Sequence, residues 1–153
     1  MAGAATSGVY PVHKNQFKIN KSGRLESTGN MVTIADLENF SPSFDNGVEE
    51  WTPMNTDGWV RRLMTGKGLT ISFTGKRNIG DPGNDYIAGL MFANGQDANS
   101  QLEWTFPSGT KVLIDVVINV TSTGGDSTGV DALEFDVMSD GKPTVTPPPA
   151  PSA

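Results

Sequence analysis

His13 is the one histidine in a chain of 153 residues that has no cysteine. Any Ser-His-Asp relay would have to be built on it. It stands in "VYPVHKNQFKIN", away from any nucleophile motif, so that chemistry has no support. Without cysteine, neither a thiolate metal site, a disulfide framework nor a Cys nucleophile can form. Gly66-Lys67 and Gly75-Lys76 suggest a phosphate loop, but the earlier glycine and the following Ser or Thr that such a loop requires are missing. The acids in "GDPGND" and "GGDSTGVD" lack calcium-loop spacing and suit a helix cap and a hydrophilic loop. No metal or cofactor is implied and no catalytic residue is assigned, so the expectation is that the chain is not an enzyme. Trp51, Trp59 and Trp104, with carboxylates nearby, would suit a monomeric carbohydrate-binding β-sandwich module. Yet Trp104 falls on the apolar face of its strand, where core packing uses an indole more simply. The acids that remain are Asp115, Glu134 and Asp136, each on the polar side of an alternating run.

Those runs are the elements that position everything else. In "KVLIDVVINVTS", Val112, Ile114, Val116, Ile118 and Val120 share one face, with Asp115, Asn119 and Thr121 on the other. "LTISFTGK", "QLEWTF" and "ALEFDVMS" alternate in the same way, which predicts half-buried antiparallel strands. Between them "GDPGNDYIAGLMFANG" changes period, and Asp81 as cap, Pro82 at the first position and Gly95 as stop predict a short helix over 82–94. Asp57-Gly58 lies between "GVEEWTPM" and "WVRRLM", a hairpin with a longer loop. "VYPVHKNQFKIN" reads as a first strand, its start held at an edge by Pro11. "NFSPSFDNG" reads as loop, as does the glycine-rich 121–129. The fold class is therefore mainly β, an antiparallel β-sandwich or partial barrel with one flanking short α-helix. One domain over residues 1–146 is expected, followed by a Pro-rich tail or linker over 147–153.

The formal charge is −6, which disfavours general attraction to nucleic acid phosphates. It is unevenly spread, with Lys14, Lys18, Lys21 and Arg24 near the start and Asp115, Asp126, Asp131, Glu134, Asp136 and Asp140 in the last third. No run approaches the ~20 apolar residues of a membrane span, and the first residues lack a signal-peptide pattern, so a cytosolic product is expected.

Two linked stretches, "LTISFTGKRNIGDPGNDYIAGLM" and "TFPSGTKVLIDVVINVTSTGGDSTGVDALEFDVMSDGKPTVTP", resemble the tail tube (major tail) proteins of long, non-contractile-tailed bacteriophages, the group of the lambda tail tube protein. The resemblance rests on the order of a Gly75-Lys76 strand end, a short helix, the Phe106-Pro107-Ser108-Gly109-Thr110 turn, a long strand, a loop and a last strand closing at Pro143. It covers about residues 60 to 146. It implies a structural virion protein, made in the host bacterial cytoplasm, that self-assembles into hexameric rings stacked as a hollow tail tube. It also implies as partners a tape measure protein and tail terminator and tip proteins, with duplex DNA passing through the lumen unbound and no membrane. The Pro-rich end departs from relatives that continue into a decoration domain.

Under that resemblance the acids acquire a role. If each of six subunits gives about four strands, ~24 strands at ~4.8 Å make a barrel near 37 Å across, which leaves room for a duplex roughly 20 Å wide. Asp115, Glu134 and Asp136 are expected to face that lumen and repel phosphates. Phe40, Phe44 and Trp51 are expected in an inter-subunit loop, since large apolar side chains in an exposed segment usually mark a partner. The basic start and acidic end are expected to meet between stacked rings.

Overall fold

The computed structural model describes residues 8–24 and 31–148. Its centre is the strand with the strongest apolar alternation. That strand, β6 (Lys111–Gly124), pairs antiparallel with β5 (Asn99–Thr105) on one side and β7 (Ala132–Ser139) on the other. Outward from β5 lie β1 (Gln16–Asn20) and β2 (Met31–Thr33). Outward from β7 lie β4 (Arg61–Lys76) and β3 (Leu37–Trp51), while β8 (Thr144–Thr146) pairs with the start of β6. The result is one eight-stranded antiparallel sheet, the mainly β architecture expected from the alternation.

The sheet cannot stay flat. Its two outermost strands, β2 and β3, are consecutive in the chain and joined only by Ile34–Asp36, so the edges must curl toward each other into a partial barrel. The core fills the inside of the curl. Ile71, Phe73, Ile114, Val116, Leu133, Phe135 and Val137 are buried, each from the predicted apolar side of its strand. Phe17 on β1 touches Phe40 on β3 and Phe73 on β4, both with ring centroids 4.8 Å apart. Those aromatic contacts bring opposite halves of the sheet together.

The helix α1 (Pro82–Gly89) rests on the seam. Asp81 caps it by accepting from the Asn84 amide at 2.9 Å. At Gly83 an added Cβ would run into the carbonyl of Thr33, so glycine permits the helix to lie directly on the β2–β3 connection. Asn84, wholly buried, donates to the carbonyls of Ala35 and Lys76 and accepts from the Asn78 amide and Arg77. This one side chain ties the helix, the seam and the end of β4 together.

Several boundaries differ from the sequence expectations. Residues 39–47, expected as loop, belong to extended β3, hydrogen-bonded along β4 from Leu37↔Gly75 to Trp51↔Arg61 with a bulge at Gly47/Val48; the hairpin expected across Asp57-Gly58 is its far end. β3 is an edge strand with little burial, so it needs neither alternation nor the amide that Pro42 lacks. The helix ends at Gly89 rather than residue 94, and Asn94 instead caps a short 3₁₀ turn at Gly95–Ala98. Residues 121–124, expected in a loop, continue β6 past a bulge at Val120/Ser122. Val12–Lys14 forms a 3₁₀ turn and β1 begins only at Gln16. The last described strand, β8, ends at Thr146; residues 149–153 of the expected tail lie outside the described residues.

Candidate functional site

Two surfaces stand out. The first is the open face of β3, β4, β7 and β6. Alternation sends Glu134 and Asp136 to the side opposite Leu133, Phe135 and Val137, which are buried. Across the strands, Glu134 lies between Thr74 and Ser122, and Asp136 between Ser72 and Asn119. Ser41 continues the second row on β3. Hydroxyls and amides surround these two carboxylates, with no lysine or arginine among their cross-strand partners. Asp115 is exposed on the same face of β6 and accepts from Gln101 Nε2 at 3.0 Å. The three acids thus share one face, with Asp115 toward β5.

The second surface is an arm. β7 covers β4 only over Thr70–Lys76. Beyond it, Arg61–Gly68 pairs with Asp45–Trp51 alone, a two-stranded ribbon about 25 Å long at roughly 3.3 Å per residue. Its turn holds Asp57 and Gly58 at φ 54° and 88°, the left-handed geometry that the Asp-Gly pair predicts. Phe44, Val48, Trp51, Met54, Trp59, Leu63 and Met64 are exposed along it, Met54 and Trp59 at 102% and 77%. Arg61 lies 5.7 Å over the Trp51 ring and Lys67 5.9 Å over Phe44. Of the three aromatics expected together in an inter-subunit loop, Phe44 and Trp51 are on this arm. Phe40 lies off the arm, in the body of β3, where it packs half-buried against Phe17, Phe73 and Trp104.

One pair from the basic start and the acidic end meets inside one copy. Arg24 reaches Asp140 at 2.9 Å and also donates to the carbonyls of Ser100 and Val116, and Lys18 stands opposite Glu103 across β1 and β5. The Arg24–Asp140 pair joins a base of the start to an acid of the last third within one copy. The tryptophan platform of the alternative carbohydrate reading is not assembled: Trp104 packs against the core as expected, stacking on Phe17 at 5.7 Å and donating to Asn15 at 3.0 Å, whereas Trp51 and Trp59 belong to the arm. His13 lies in a 3₁₀ turn beside the seam, near Asp36 and Glu38. Among the described residues, no group of three or more His, Asp or Glu is placed to hold a metal ion, and no helix is long and apolar enough to cross a membrane. The arm was only half legible in the sequence. Its turn was signalled by Asp57-Gly58, but its length was hidden by the unpatterned "SPSFDNG".

This architecture has solved counterparts. A chain from the tail of an empty gene transfer agent particle, determined with C6 helical symmetry, superposes with a TM-score of 0.74 over 90% of this chain and 99% of its own, at 19% identity. A chain of the native gene transfer agent virion superposes with a TM-score of 0.66 over the same shares, at 18% identity. No family model matches the sequence, and no curated protein does. The fold is that of these tail chains, and it agrees with the resemblance drawn from residues 60 to 146.

Proposed function

We propose that this chain is the structural subunit of a phage-type tail tube: six copies form a ring, and stacked rings enclose a channel for duplex DNA. The observation that carries the proposal is the arm. A two-stranded ribbon is marginal in water by itself, and this one exposes a run of large apolar side chains that its own domain leaves uncovered. Such a surface calls for a partner. The likeness to a C6-symmetric tail chain supports further copies of the same chain as that partner.

The open face fits the inner wall of such a tube. β3, β4, β7 and β6 are adjacent in one sheet and supply the four strands per copy from which a barrel near ~37 Å follows. An inner wall carrying Asp115, Glu134 and Asp136 repels phosphates, so DNA passes without the counterion release that would hold it. The role is architectural, with no catalytic step.

Removal of the arm tests the proposal. Joining Asn46 to Lys67 through an Asn-Gly turn deletes residues 47–66, none of which is buried. The shortened chain is expected to fold, with strand circular dichroism retained, and to remain monomeric where the full chain forms rods in negative-stain images. Rods of normal form from the shortened chain would contradict the proposal.

A further inference from the structure

Charge on the arm is divided strand by strand. The β3 half, Asp45–Trp51, carries Asp45, Glu49 and Glu50 and no base, and the β4 half, Arg61–Gly68, carries Arg61, Arg62 and Lys67 and no acid. Only Glu50 and Arg62 are paired, at 3.0 Å. Beside the β4 half lies a largely apolar groove of about 680 Å³, lined by Met64–Leu69, by Gly141–Pro143 and Val145, and by Phe44. Lys67 and Lys142 are among its lining residues. The groove opens where β7 ends at Ser139, so the β4 edge there has no strand beside it within the copy. An extended chain satisfies such an edge through backbone hydrogen bonds. Charge and surface select a chain that is acidic and partly apolar.

The outer edge of β3 meets that description. It is the last strand of the sheet, and it exposes Phe44, Val48 and Trp51 together with its acids. Resting on the self-assembly proposed above, we infer that the β3 edge of one copy docks against the β4 edge and groove of another, with Asp45 and Glu49 toward Lys67 and Lys142. The strand directions agree: rotation about a tube axis or translation along it leaves β3 running the same way in every copy, so it arrives antiparallel to β4. Because the two edges differ, the contact is head-to-tail, the kind that closes into rings or continues as a helix. Each copy offers one acidic edge and accepts one on its basic edge.

Reversal of charge on each edge separately tests the pairing. Asp45, Glu49 and Lys67 stand opposite Gly68, Leu63 and Asn46 within the arm, so their reversal leaves the copy's own ion pairs intact. Two variants are needed, Asp45→Lys with Glu49→Lys, and Lys67→Glu with Lys142→Glu. Each is expected to fold and, alone, to form no rods at a concentration where the parent does. An equimolar mixture is expected to restore rods, with the two variants alternating. Rods from either variant alone at the parent's concentration would overturn the edge pairing and leave the tube reading standing. Folded variants that stay apart when mixed would also overturn it. Failure of the unmodified chain to assemble would count against the tube reading itself.

Discussion

Substitution of Asn84 measures how firmly the barrel seam is tied. Its side chain donates to Ala35 at 3.1 Å and Lys76 at 2.9 Å and accepts from Asn78 and Arg77, both at 3.0 Å. A typical hydrogen bond contributes about 0.5–1.5 kcal/mol net, and one to a charged group roughly 1.5–3 kcal/mol. For Asn84→Ala the loss should total roughly 4 kcal/mol, since the partners are left behind with little access to water. At about 2–4 °C per kcal/mol for a domain of this size, the thermal midpoint should fall by around 10 °C. Asn84→Asp sharpens the test. It keeps the accepting oxygen but turns a second oxygen toward two carbonyls, so it should destabilise at least as strongly despite its matching shape. Circular dichroism melts at two protein concentrations separate folding from association. A midpoint drop under about 2 °C for both variants would refute the assignment of the seam's stability to this side chain.

Other expectations follow from the same geometry. Arg24→Ala removes three donated bonds and should lower stability by about 1–3 kcal/mol in denaturant unfolding, while leaving any salt dependence of assembly rate unchanged, because its acid partner is in the same copy. The hydrogen bond from Arg77, then that from the Gly80 amide, holds the Asp85 carboxyl below its ordinary value. A lowered folded-state value means stability that is present above the ordinary carboxylate range and lost as pH falls through the folded value. Asp85→Asn should therefore flatten the acid limb of a stability–pH profile below about pH 4. Glu134→Lys with Asp136→Lys should leave rings intact in micrographs and slow DNA release from particles. Unchanged release would remove the repulsive role of these acids.

Strands that bury one face were readable because water enforces the alternation. Val112 to Ile118, Leu69 to Phe73 and Leu133 to Val137 each landed on the predicted side. The capped start of α1 was readable for a local reason, the Asp81–Asn84 bond. β3 was readable only at its Val48–Trp51 end, as one side of the Asp57-Gly58 hairpin. An edge strand in an arm buries almost nothing, so Ser41, Pro42, Ser43 and Asn46 carry no periodic signal, and its partner β4 dictates its conformation. Phe40 was misplaced for the same reason: its contact with Phe17 depends on sheet curl, which alternation does not encode. The Arg24–Asp140 pair spans most of the chain, and no local pattern announces it. The polar face was legible as polar, while its neighbours in an assembly are a matter of surfaces that meet only between copies.

The most direct measurement is an electron cryomicroscopy map of the purified, assembled chain. Six-fold rings stacked about an open channel are expected, with Glu134 and Asp136 on the inner wall and the arm buried between copies. Compact monomers at high concentration, or a tube with those carboxylates on its outer wall, would contradict that arrangement.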